Sequence, residues 1–106
     1  MNKIILDNDD RDFLLWRDGS GDTIEIFDIA VGSERGVGKG RRLIELLFEQ
    51  LHAETRVFAI TRATNLVAQQ FYEKLRFDVV GVLRRFYSGN MEVDAVMYGR
   101  KAGGSV

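Results

Sequence analysis

The sequence contains no cysteine and no proline, and its one histidine is His52. Without cysteine there is no disulfide framework, no thiolate metal site and no cysteine nucleophile, so any covalent chemistry must come from other groups. Without proline or long Ser/Gly stretches there is no internal linker. The one linker-like segment is the small-residue run Ala102-Gly103-Gly104-Ser105-Val106, expected to be a flexible tail at the end of a single domain spanning residues 1–106. No apolar run approaches the roughly 20 residues of a membrane span, and the apolar stretch after Met1 is too short for a secretion signal. A soluble, cytoplasmic protein is the expectation. Charge of one sign is missing too: 15 basic and 16 acidic residues leave a net charge of -1. No whole-molecule field points to nucleic acid or membrane as a partner.

What is present suits one compact core. A chain of 106 residues with 45% hydrophobic side chains should bury roughly two thirds of its unfolded surface. Ile4 to Leu6 and Phe13 to Trp16 read as short strands, and Asp18-Gly19-Ser20-Gly21-Asp22 has the residues of a tight turn leading into a longer strand, Thr23 to Val31. In that strand Ile24, Ile26 and Asp28 alternate against Glu25, Phe27 and Ile29, which aims Glu25 and Asp28 at opposite faces. After Gly32 to Gly40 the period changes. Leu43, Ile44, Leu47, Phe48 and Leu51 recur at helical spacing, giving an amphipathic helix of about four turns. Arg56 to Thr61 reads as a buried strand, and Thr64-Asn65 caps a second helix with Ala68, Phe71 and Leu75 on one side. Phe77 to Leu83 and Val93 to Tyr98 complete the order β-β-β-α-β-α-β-β around a turn at Ser88-Gly89-Asn90. This is an α/β (α+β) chain: a mixed sheet, parallel across the first helix and antiparallel at its ends, flanked by two main helices.

The segment Arg35-Gly36-Val37-Gly38-Lys39-Gly40 sits between an apolar strand end and a helix start. Helix N-terminal amides carry partial positive charge, and glycines let an anion approach the backbone, so this is a place for a phosphate. Arg35, Lys39, Arg41 and Arg42 add cationic side chains. The P-loop pattern is not met, since Ser33 and Gly40 stand where it needs Gly and Ser/Thr. The dinucleotide fingerprint is not met either, because Arg41 occupies the place of its third glycine.

The spacing that remains, Arg35-x-x-Gly38-x-Gly40, resembles the pyrophosphate-binding motif Q/R-x-x-G-x-G/A of the GNAT N-acetyltransferases. The resemblance extends through Glu25 to Val31 before the loop and Asn65-x-x-Ala68-x-x-Phe71-Tyr72-Glu73-Lys74-Leu75-x-Phe77 after it. It continues into Val80 to Arg84 and Asp94 to Met97, covering roughly residues 24 to 98 in order. The wording is similar to the branch that acetylates protein N-termini, including ribosomal-protein N-acetyltransferases. The resemblance implies acetyl-CoA as cosubstrate and a primary amine, at a small molecule, peptide or protein N-terminus, as acceptor. Direct attack in a ternary complex is implied, and the absence of cysteine agrees with it. The alternative is a CoA-binding protein with weak or lost catalysis.

By that resemblance the loop residues Arg35, Gly36, Val37, Gly38, Lys39, Gly40 and Arg41 bind the CoA pyrophosphate. The backbone of Ile29, Ala30 and Val31 pairs with the pantetheine, and Asn65 lies near the cofactor arm. Tyr72 matches the tyrosine beside the thioester sulfur, where it protonates the leaving thiolate. Three departures stand beside the match. This sequence shows no match to the family's usual first strand and pair of helices, which form one wall of its acceptor site. Ile60 occupies the place of the branch's glutamate base, two residues before Arg62-Ala63-Thr64-Asn65. Arg76 replaces the glycine that ends the second helix. Glu25 and Asp28 are therefore the candidate bases. A homodimer through Val93 to Tyr98 is the expected assembly, because an exposed sheet edge invites pairing.

Overall fold

The computed structural model describes residues 1–32, 36–87 and 93–104. Eight elements follow one another: β1 (Asn2–Leu6), β2 (Asp9–Asp18), β3 (Thr23–Val31), α1 (Lys39–Glu49), β4 (Arg56–Arg62), α2 (Leu66–Lys74), β5 (Asp78–Tyr87) and β6 (Val93–Lys101). The expected order is met. The strands form one sheet in the order β1-β2-β3-β4-β6-β5. β3 and β4 are parallel and every other neighbouring pair is antiparallel.

The first hairpin is longer than the apolar pattern suggests, because the acidic run folds as its turn and second strand. Asp7 and Asn8 both take left-handed backbone (φ 52° and 58°), and Leu6 faces Asp9. A two-residue turn with both central φ positive matches the twist of a hairpin, and Asp and Asn tolerate it better than other side chains. Asp12, within that acidic run, is fully buried.

Helix α1 places Leu43, Ile44, Leu47 and Phe48 against the sheet and keeps Arg41, Arg42 and Glu49 in solvent. It runs 11 residues, about three turns rather than four. Leu51 lies beyond its end, partly buried against the core. The core joins this stripe to Leu14, Trp16, Ile24, Ile26, Val57 and Ala59 on one sheet face and to Tyr72, Leu75 and Phe77 around α2. Both helices therefore pack on the same side of the sheet. The opposite side carries Phe13, Leu15, Phe58, Ile60 and Met97, all partly exposed.

Helix α2 begins and ends with local hydrogen bonds. Asn65 Oδ1 accepts from the Ala68 amide at 3.0 Å, the cap the sequence suggests. At the other end Arg76 is left-handed (φ 65°), its amide donating to Glu73 O at 3.0 Å, while the Phe77 amide donates to Tyr72 O at 3.0 Å. This pair of bonds is a Schellman stop. Arginine in place of glycine there costs about 1 kcal/mol, and the stop fixes Tyr72 beside Phe77.

Two expectations change at the C-terminal end. β6 lies between β4 and β5, so Val93–Tyr98 is interior and cannot be the edge contact of a dimer. The edges are β1 and β5, and β5 exposes about half of Val79, Val80, Val82 and Phe86. Ala102 is buried, its amide donating to Thr55 O at 2.9 Å, and the Gly103 amide donates to Ala53 O at 2.9 Å. The segment expected as a free tail is thus docked through Gly103. Residues 105–106, and the Ser88-Gly89-Asn90 turn, lie outside the described residues.

Candidate active site

The parallel pair at the centre of the sheet comes apart. β3 and β4 are in register from Thr23 opposite Arg56 to Ile26 opposite Ala59, and no further. Beyond that point β3 keeps its partner β2 and β4 keeps β6. The cause is a bulge. Trp16 pairs with Ile26 and Leu15 with Asp28, so Phe27 is an extra residue on β3. A bulge bends its strand and increases twist, and here it turns β3 away from β4. It also shifts the alternation. Arg17 and Leu15, two apart on β2, share a face, so their partners Glu25 and Asp28 also share one. The expectation of opposite faces is corrected by this one inserted residue.

The gap opens into two clefts. On the helix side a cleft of about 870 Å³ is lined by Ile29, Ala30 and Val31, by Gly36, Gly38, Lys39, Gly40 and Arg41, and by Asn65 and Tyr72. These are most of the residues the sequence nominates for cofactor. Arg35 lies outside the described residues, and Val37 is exposed without lining the cleft. Composition gave no sign of Phe71 and Lys74, which α2 adds to the lining. On the β-bulge side a smaller cleft of about 240 Å³ is lined by Phe27, Asp28, Ile60, Thr61, Arg62 and Tyr87, among others. Ile29, Asn65, Ala68 and Tyr72 line both. The clefts meet there.

The floor of the larger cleft is the start of α1. Gly38 caps the helix with φ 82° and makes no side-chain cap hydrogen bond, and no acidic residue stands in the first turn. Such amides attract an anion. Gly40 lets α1 and α2 approach: a Cβ there would stand 2.8 Å from the Phe71 ring. Lys39, expected as a mobile phosphate cation, serves the loop. Its Nζ lies 3.2 Å from Oδ2 of buried Asp12, whose Oδ1 accepts the Gly32 amide at 3.0 Å. Asp12 thus ties both ends of the loop, a role hidden in the sequence by the acidic run around it.

Tyr72 is 5% exposed. Its ring lies 5.3 Å from Phe71, 5.2 Å from Phe77 and 5.5 Å from Tyr98. The ring therefore packs in the core, and the same side chain lines both clefts. Among the described residues nothing hydrogen-bonds the hydroxyl, yet no buried side-chain polar atom lacks a partner. The hydroxyl therefore opens on the clefts. Burial pushes its pKa well above the ordinary phenol value, and the nearby Asp28 charge adds to the rise. Tyr72 thus holds its proton more tightly than an ordinary phenol.

Glu25 accepts from Arg17 at 3.0 Å and lines neither cleft. Asp28 lines the smaller one. Ile60 lines it too, so the position of the family glutamate faces the site without a carboxylate. Arg62 and Tyr87, which sequence reasoning missed, meet at the same cleft with the guanidinium carbon 4.3 Å from the ring centroid. They are the ends of strands 25 residues apart, and no local pattern joins them.

The acetyltransferase (GNAT) family model matches residues 5–77. The chain belongs to the GNAT family. Among solved structures, the ribosomal-protein-S18-alanine N-acetyltransferase of Escherichia coli matches at 26% identity with a TM-score of 0.73, covering 89% of this chain and 63% of that one. A Bacillus anthracis protein assigned as a streptothricin acetyltransferase, solved with acetyl coenzyme A, matches at 26% identity with a TM-score of 0.79, over 92% of this chain and 58% of that one. A nourseothricin acetyltransferase, at 22% identity and a TM-score of 0.74, covers 88% and 58% and shares the fold. Among curated proteins none matches the sequence. This GNAT chain thus spans about three fifths of the length of the structures it resembles. No described helix is long and apolar enough to cross a membrane.

Proposed function

We propose that this GNAT chain binds acetyl-CoA in the larger cleft and transfers the acetyl group to a primary amine entering through the smaller one. The observation that carries the reading is the joining of the two clefts at Tyr72 and Asn65 where β3 and β4 separate. A sheet that opens leaves backbone groups of Ile29–Val31 in need of partners, and an extended pantetheine arm can supply them as an added strand does. The helix-start amides around Gly38 and Gly40 suit the pyrophosphate. Acetyl-CoA in the Bacillus anthracis relative supports the same cosubstrate here.

Transfer needs the amine lone pair on the thioester carbonyl carbon: a C–N bond forms, the C–S bond breaks, and the amine loses a proton. Asp28 is the carboxylate that lines the acceptor cleft, and it takes that proton directly or through a water. An α-amine has a pKa of roughly 8, so part of it is already neutral at pH 7 and the demand on the base is small. A lysine side chain, near 10.4, would demand more. The sulfur departs beside the Tyr72 hydroxyl. With its pKa raised, that phenol acts best as a fixed hydrogen-bond donor to the developing thiolate, and solvent completes the protonation. A small peptide or protein N-terminus fits both the easier amine and the size of the cleft.

Ile60 in the cleft favours one second reading, a CoA-binding chain with weak turnover. Calorimetric titration with acetyl-CoA followed by a free-thiol release assay over an amine panel separates the two. The main reading expects binding at micromolar concentration and acceptor-dependent thiol release. Binding without release on any amine selects the second reading, and no binding removes both.

A further inference from the structure

The smaller cleft holds two charges of opposite sign, and among the described residues neither has an ion-pair partner. Asp28, on the bulged strand, and Arg62, at the end of β4, both line it. Among the described residues neither side chain makes a hydrogen bond or ion pair, and they do not pair with each other. Elsewhere on this side of the sheet charges are spent locally: Arg17 holds Glu25 at 3.0 Å, and Lys3 Nζ sits 5.1 Å from the Phe13 ring centroid. Arg62 differs. Its guanidinium lies against the Tyr87 ring at 4.3 Å, which restricts the side chain through cation–π attraction and leaves its planar fork of donors unused. Such a fork matches a carboxylate with two parallel hydrogen bonds. At about 240 Å³ the cleft is smaller than the roughly 300–1,000 Å³ of drug-sized sites. It suits a small molecule or the end of a chain.

We infer that the acceptor carries its own carboxylate close to the reacting amine, with the amine at Asp28 and the carboxylate on Arg62. Arg62 is then the specificity-determining residue of the acceptor site. The inference rests on the functional reading above and deepens it, since that reading alone is indifferent to what the amine is attached to. The shared chemistry is an α-amine with a carboxylate one or two residues away. A free dipeptide supplies it at its C-terminus, and a longer chain supplies it with an acidic second residue.

Matched acceptors that differ in the carboxylate alone provide the test: alanyl-alanine against its amide, and alanyl-aspartyl-alanine amide against the asparaginyl equivalent. Each is titrated calorimetrically into the protein saturated with CoA, and each is assayed for thiol release with acetyl-CoA. A charge-assisted pair of this kind should favour the acid by about 10- to 100-fold in affinity and in kcat/KM. In Arg62→Gln the ratio should fall to near one with acetyl-CoA affinity unchanged, and Arg62→Lys should restore part of it. A preference for the first pair points to small amphoteric acceptors, and for the second to acidic chain ends. Equal affinity for acid and amide in both pairs, or no binding of any of the four, overturns the inference, as does a preference that survives in Arg62→Gln. Failure of the functional reading looks different: the protein then binds no CoA, or prefers the acid yet releases no thiol.

Discussion

Replacing Tyr72 by phenylalanine removes one oxygen and leaves the ring, which makes the substitution a clean separation of packing from chemistry. The ring keeps its neighbours Phe71, Phe77 and Tyr98 at 5.2–5.5 Å. The hydroxyl has no hydrogen-bond partner among the described residues to lose. Stability should therefore change by less than about 0.5 kcal/mol, whereas truncation of the ring in Tyr72→Ala should cost about 3–5 kcal/mol through lost burial and a cavity. Turnover should behave differently. A donor aimed at developing negative charge on sulfur contributes about 1.5–3 kcal/mol, so kcat should fall roughly 10- to 150-fold. The affinity for acetyl-CoA should stay near wild type, because the thioester in the ground state asks little of the hydroxyl. Urea unfolding, calorimetry and thiol release measure the three quantities on one preparation. A stability loss above about 1 kcal/mol with unaltered kcat would refute the reasoning and return Tyr72 to the core alone.

Three further outcomes follow from the same geometry. Gly38→Ala puts a side chain on a left-handed cap (φ 82°) and should cost about 1–2 kcal/mol; the stabilisation that acetyl-CoA gives in a thermal shift should shrink with it. Arg100→Ala removes donors to the carbonyls of Leu75, Lys101 and Gly103 and packing on the Phe48 ring; a loss of about 2–4 kcal/mol in urea unfolding is expected. The raised pKa of Tyr72 gives an alkaline dependence: the folded state holds the proton more tightly than an unfolded phenol at 10.0. Its contribution is therefore intact below about pH 10 and lost as pH rises above it, so unfolding free energy should drop less steeply in Tyr72→Phe.

What the sequence made legible was whatever is written locally. The helical spacing of Leu43, Ile44, Leu47 and Phe48 and the Asn65 cap act within a few residues, and each stands as expected. The glycine loop was legible for the same reason, since Gly38 and Gly40 do their work at one helix start. The bulge at Phe27 was not, because an inserted residue is defined by the partner strand: the run from Glu25 to Ile29 alternates in sequence while Glu25 and Asp28 share a face in the sheet. The burial of Asp12 was not legible, because its partners, Lys39 and Gly32, arrive from 20 or more residues away. Arg62 and Tyr87 become neighbours only once β5 has passed β6 and β6 has paired with β4. The interior place of Val93–Tyr98 was not legible either, because strand order is set by pairing across the sheet: the chain turns back and inserts β6 between β4 and β5.

The central claim is that one ligand threads from the start of α1 to the separation of β3 and β4. A crystal structure of the protein with acetyl-CoA tests it most directly. The account predicts pyrophosphate oxygens within hydrogen-bond distance of the amides between Gly36 and Gly40, the pantetheine along Ile29–Val31, and the thioester sulfur beside the Tyr72 hydroxyl. Acetyl-CoA bound with its phosphates elsewhere, or with its thioester away from Tyr72, would contradict it.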